Sequence, residues 1–80
     1  MAVVDDLVSA GFSRTQSDAV IGVDAGTATA NDLVTQGVWA NTASVLVAKN
    51  AGTATDDNLV QAGLSTPQVT AVDAAFAVTP

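Results

Sequence analysis

Residues 25–37 read A-G-T-A-T-A-N-D-L-V-T-Q-G, and residues 51–63 read A-G-T-A-T-D-D-N-L-V-Q-A-G. The second half of that motif also stands at residues 6–11, as D-L-V-S-A-G. Leu7, Leu33 and Leu59 are 26 residues apart, as are Gly11, Gly37 and Gly63, and Gly26 lies at the same distance from Gly52. A constant period of about 20 to 50 residues marks a repeat architecture, in which each unit buries its apolar face against its neighbours. The register divides the chain, as a single domain over 1–80, into units 3–28, 29–54 and 55–80.

Each unit carries two sets of helix signals separated by its internal glycine. Thr29 with Asp32, and Thr55 with Asp56 and Asp57, combine a capping hydroxyl with acid in the first turn, where the helix dipole favours negative charge. Gly11, Gly37 and Gly63 then suit the left-handed residue that ends a helix of about two turns. A second helix starts at once: Ser13 to Gln16 and Ser65 to Gln68 are capping boxes, and Pro67 falls in the first turn, where a missing amide costs nothing. The middle unit has Trp39 in place of the serine. Asn41 is the next candidate cap, which would start that helix later. Gly26 and Gly52 supply the C-terminal stops.

The register generates apolar columns: Leu7, Leu33, Leu59; Val8, Val34, Val60; Phe12, Val38, Leu64; and Val20, Leu46, Val72. All four are expected to be core. Valine and threonine also favour strands, and G-T-A-T would suit an extended segment of a beta solenoid. The capping sequences and the lack of a sustained two-residue period decide for helices. The expected fold is therefore all-α: three tandem 26-residue helix-turn-helix repeats forming a small array or bundle. Between a linear stack and a compact bundle the spacing does not choose. An array with open ends would leave apolar end surfaces for neighbours to cover.

Composition restricts the chemistry. The chain lacks His, Cys, Glu and Tyr, so most acid–base and nucleophilic arrangements cannot be assembled, and an enzyme is not expected. Eight aspartates face two cations, Arg14 and Lys49, for a formal charge of -6. That argues against nucleic acid and anionic membranes as partners, since both require clustered cations. No segment is apolar enough to span a bilayer, and the first residues lack the features of a signal peptide. A soluble protein is expected, with no cofactor. A calcium site built from Asp5, Asp6, Asp56 and Asp57 lacks the D-x-D-x-D-G loop, so these acids are better read as first-turn residues, with a calcium-responsive module as the third reading of the chain.

Three apolar residues invite a contact with another protein. Trp39 replaces a capping serine at a turn, where it either meets a partner, as aromatic residues at interface hot spots do, or covers the small helices beside it and fills space left by their alanines. Phe76 stands where the other copies have Asp24 and Asn50, in the last unit, with no following unit to cover it. Phe12 follows the Gly11 turn. The remaining singled-out positions, Gly11, Ser13, Gly26, Thr29, Gly37, Gly52, Thr55, Gly63 and Ser65, are capping and turn residues in this scheme.

Residues 7–20, L-V-S-A-G-F-S-R-T-Q-S-D-A-V, resemble the first helix, M-G-F loop and second helix of ubiquitin-associated domains, with Ala10 where the methionine is usual. That resemblance implies a helix-loop-helix geometry and, as an alternative function, an adaptor binding a protein through the Gly11–Phe12 loop. The chain as a whole, with its D-L-V-x-x-G and A-G-T-A-T repeats and acidic charge, resembles small repeat-containing accessory proteins of tailed-phage virions, such as capsid decoration or head-fibre proteins. This implies a structural protein present in many copies, bound to a capsid or fibre protein and often homo-oligomeric. Its expected location is the virion, or otherwise the cytoplasm as a soluble protein.

Overall fold

The computed structural model describes residues 3–77, and its fold is all-helical. Residues 78–80, at the end of the third sequence unit, lie outside the described residues. Six helices follow one another: α1 (Val3–Ala10), α2 (Arg14–Ala25), α3 (Ala30–Thr35), α4 (Ala40–Asn50), α5 (Asp56–Gln61) and α6 (Thr66–Ala77). Short helices alternate with long ones, and turns of a few residues join them. No helix among the described residues is long and apolar enough to cross a membrane.

The exits from α1, α3 and α5 share one hydrogen-bond pattern. The Gly11 amide donates to the Val8 carbonyl (3.0 Å) and the Phe12 amide to Leu7 (3.1 Å). Gly37 and Val38 do the same toward Val34 and Leu33, and Gly63 and Leu64 toward Val60 and Leu59. These are Schellman closures, in which the first residue past the helix takes a left-handed conformation and the next is apolar and folds back on the helix. Gly11, Gly37 and Gly63 have φ of 118°, 97° and 109°, a region closed to most L side chains.

Reciprocal caps start most of the helices. Ser13 Oγ accepts from the Gln16 amide while Gln16 Oε1 accepts from the Ser13 amide (3.1 and 3.0 Å). Ser65 and Gln68 are paired in the same way (3.4 and 2.9 Å). At the short helices the Thr29 amide donates to the Asp32 carboxylate (2.8 Å), and Thr55 exchanges two bonds with Asn58 (2.9 and 3.3 Å). Asp32 thus acts as a direct hydrogen-bond acceptor as well as a charge near the dipole.

Helix α4 departs from expectation. It begins at Ala40, with Trp39 as its cap residue, and Asn41 lies inside the first turn instead of capping a later start. Trp39 contributes backbone only: its carbonyl accepts from the Ala43 amide (2.8 Å), and its side chain makes no cap bond. The Schellman turn at Gly37 already delivers the chain to this point in extended conformation. The start of the helix is therefore set by the preceding turn, not by a polar side chain.

Leu7, Leu33, Leu59, Val20, Leu46 and Val72 are fully buried at the centre, with Phe12, Val38 and Leu64 closing over them. The Val8, Val34 and Val60 column is a correction: these side chains are exposed. Consecutive residues on a helix point about 100° apart, so a two-turn helix with one face inward cannot bury both members of its Leu-Val pair. The larger leucine takes the core.

Helix α1 packs on α2 and α6, α3 on α2 and α4, and α5 on α4 and α6, while α2 also touches α4 and α6. First and last helices therefore adjoin, and the molecule measures 27 × 25 × 23 Å. A linear stack with open apolar ends is excluded, because α1 and α6 cover each other. Phe76, which has no unit after it, is half-buried against the core through this closure.

Candidate functional site

The three turns that leave α1, α3 and α5 deliver the chain to the N-termini of α2, α4 and α6, and these ends gather around a depression of about 250 Å³. Phe12, Val38 and Leu64 line it, together with Gln16, Thr42 and Gln68 from the first turns of the long helices. Trp39 stands at its edge, and no charged residue lines it.

The polar lining residues tie neighbouring hairpins together. Gln16 Nε2 donates to the Gln36 carbonyl (3.1 Å), and Thr42 Oγ1 donates to the Ala62 carbonyl (2.6 Å). The Gln68 amide sits 3.1 Å from where a Cβ on Gly11 would stand. Residues 16 and 42 are 26 apart, as are 36 and 62, so both links run from the start of one long helix to the end of the following short helix, while Gln68, 26 residues after Thr42, lies beside the end of α1 without such a bond. Carbonyls at helix C-termini lack intrahelical partners, which is what these donors exploit. Gln16 thus has a role beyond its cap, and the register it shares with Thr42 is the sequence signal for it.

Of the residues proposed to meet a partner, Trp39 is 77% exposed and Phe12 only 5%. Phe76 is half-buried and is not part of the depression. Trp39 and Phe12 are therefore brought to one site, with Phe12 as floor and Trp39 as free edge. The turn residues Gly11, Gly37 and Gly63, and the caps Ser13 and Ser65, form the surrounding backbone. Gly26, Gly52, Thr29 and Thr55 belong to the connections between long and short helices.

A second polar cluster joins α4, α5 and α6. Lys49 Nζ lies 3.3 Å from Asp56 Oδ1 and 3.3 Å from Asp73 Oδ1. Burial pushes the Asp73 carboxyl above the usual carboxylate range, and the neighbouring Asp56 carboxyl pushes it the same way. The Asp56 carboxyl is held below that range by its neighbour Asp73 and by Lys49. Lys49 is held above its ordinary value, first by Asp56. The positions 26 residues before these three are apolar, Val23, Ala30 and Val47, as are the remaining equivalents, Ala75 (26 after Lys49) and Val4 and Ile21 (52 before Asp56 and Asp73). Asp5 is paired with Arg14 at 3.1 Å on the surface. Among the described residues no three metal-ligating side chains converge.

The depression combines an apolar floor, amide and hydroxyl walls, and an indole edge. Comparison with family models, with characterised proteins and with solved structures gives no match to this chain.

Proposed function

We propose that the chain is a non-enzymatic interaction protein, built as three repeated helical hairpins closed into a ring, that attaches to a larger assembly through the face around Trp39. In this reading the second helix of each unit meets the first helix of the next: α2 on α3, α4 on α5, and α6 back on α1. The setting implied by the resemblance is the surface of a virion, with the chain as a decoration or fibre component in many copies.

One observation carries the reading. At the cap position of α4, where the equivalent residues Ser13 and Ser65 each hold a first-turn amide, the chain has a side chain that holds none and stays 77% exposed. Omitting a serine cap costs about 1 kcal/mol, which the small part of the indole in contact with the chain does no more than offset. A residue that leaves its own cap position empty with no net gain to the fold, and faces solvent beside an uncharged depression, is accounted for by a contact outside the chain. The adaptor alternative relies on the Gly11–Phe12 loop, whose phenylalanine faces the core.

The test is co-sedimentation of the purified chain with capsid particles, run with wild type and with Trp39→Ser. Wild-type chain in the particle fraction and the variant in the supernatant is the expected result. Equal recovery of both in the supernatant removes the proposal.

A further inference from the structure

We propose that the depression beside Trp39 is a docking pocket for a basic protein segment that presents one aliphatic or aromatic side chain. This rests on the interaction reading above and names the chemistry of the partner.

Charge selects the partner. The chain carries a formal -6, and both of its cations are engaged: Arg14 with Asp5, and Lys49 with Asp56 and Asp73. A second copy would bring the same excess of carboxylates with no unpaired cation to answer them. A segment bearing lysine or arginine is attracted at long range, and the neutral lining of the pocket exacts no desolvated charge when contact is made. The field therefore steers, and the pocket anchors.

Size and lining select the anchor. Phe12, Val38 and Leu64 make an apolar floor, and the volume of about 250 Å³ suits one large side chain. Trp39 supplies a flat wall against which that side chain and its backbone can pack. Gln68, whose Oε1 is taken by the Ser65 amide, has an Nε2 donor to offer a backbone carbonyl of the segment. An apolar anchor between an aromatic wall and a polar rim is the usual anatomy of an interface hot spot.

Trp39 is the single tryptophan and the chain has no tyrosine, so intrinsic emission reports on this site alone. The full chain is titrated with four blocked peptides: Lys-Lys-Leu-Lys-Gly, Lys-Lys-Phe-Lys-Gly, Lys-Lys-Gly-Lys-Gly and Glu-Glu-Leu-Glu-Gly. The expected result is a saturable blue shift with the Leu and Phe basic peptides, and none with the Gly or acidic ones. Affinity for the two binding peptides should fall as salt is raised. With the same peptides fluorescently labelled, anisotropy should show Trp39→Ser binding about tenfold more weakly or worse, while its circular dichroism stays that of the wild type.

No shift with either apolar basic peptide overturns the proposal, as does an equal response to all four. A blue shift that grows with protein concentration alone, with dimers in sedimentation, also overturns it by assigning the pocket to a second copy. If the chain binds particles yet ignores every peptide, the interaction reading stands and this inference falls.

Discussion

Replacing Trp39 by serine and, separately, by alanine tests the central premise that the α4 cap position is vacant. Both variants lose the same packing. With 77% of the side chain exposed, about a quarter of an indole is in contact, on the order of 50 Å² of apolar area or about 1 kcal/mol. Only serine gains the cap. Its Oγ would accept from the Thr42 amide as Ser13 does from Gln16, stabilising by about 1 kcal/mol. Trp39→Ser is therefore expected to fall within about 1 kcal/mol of wild type, and Trp39→Ala to lie about 1 kcal/mol below the serine variant. For a domain of this size that gap is about 4 to 8 °C in Tm. Urea unfolding followed by circular dichroism resolves it, because each series shares one reference state. Equal stabilities for the two variants would refute the vacant cap. A serine variant weaker than wild type by 3 kcal/mol or more would make Trp39 a structural residue and remove the reason for giving it a partner.

Gly22→Ala should destabilise although alanine is the better helix former by about 1 kcal/mol, because the new Cβ would stand 2.8 Å from the Ala28 Cβ; urea melts should show a net loss of about 1–3 kcal/mol. Thr42→Val keeps the shape but strands the Ala62 carbonyl at a buried link, with an expected loss of about 1–3 kcal/mol in the same assay. The ionic cluster has opposite pH signatures in its two acids. Asp73, raised in the fold, makes stability fall as pH rises from its unfolded value through its folded one; Asp56, lowered, adds stability present above its unfolded value and lost as pH falls through the folded one. Asp73→Asn should abolish the first trend and Asp56→Asn the second, read as differences from wild type in unfolding across the carboxylate range. Replacing Lys49, Asp56 and Asp73 together by Val, Ala and Val, the residues of an equivalent junction, should leave stability unchanged or raised, whereas Lys49→Val alone should lower it by leaving two carboxyls facing each other. Thermal unfolding compares the two.

The helical fold was legible because its punctuation is local. Glycine after Leu-Val-x-x, serine before x-x-Gln, and threonine before x-x-Asp or x-x-Asn each specify a hydrogen-bond pattern within a few residues, and the chain repeats them. Side-chain direction within a two-turn helix was not legible in the same way. Leu7 and Val8 are both apolar, and only the packing partners decide which points inward. Closure was also hidden, since nothing in a 26-residue period says whether the last hairpin meets the first. What decides it is the angle between successive hairpins, fixed by contacts such as Gln16 to Gln36 and Thr42 to Ala62, whose partners lie 20 residues apart.

The site was legible to a different degree, and for a reason that repeats make available. Where two copies agree, they define what packing requires at a position; where the third departs, some other demand has acted. Thr42 departs from Gln16 and Gln68, and its buried bond to Ala62 accounts for it within the fold. Lys49, Asp56 and Asp73 depart from apolar residues at both equivalent junctions, and Lys49 pairs with both carboxylates within the chain. Trp39 departs from two serines and satisfies nothing inside the chain: it forms no cap bond, covers little of the core, and leaves its ring beside an uncharged depression. A departure balanced within the molecule is a feature of its construction. The one that remains unbalanced is where the proposed partner would supply the missing contact.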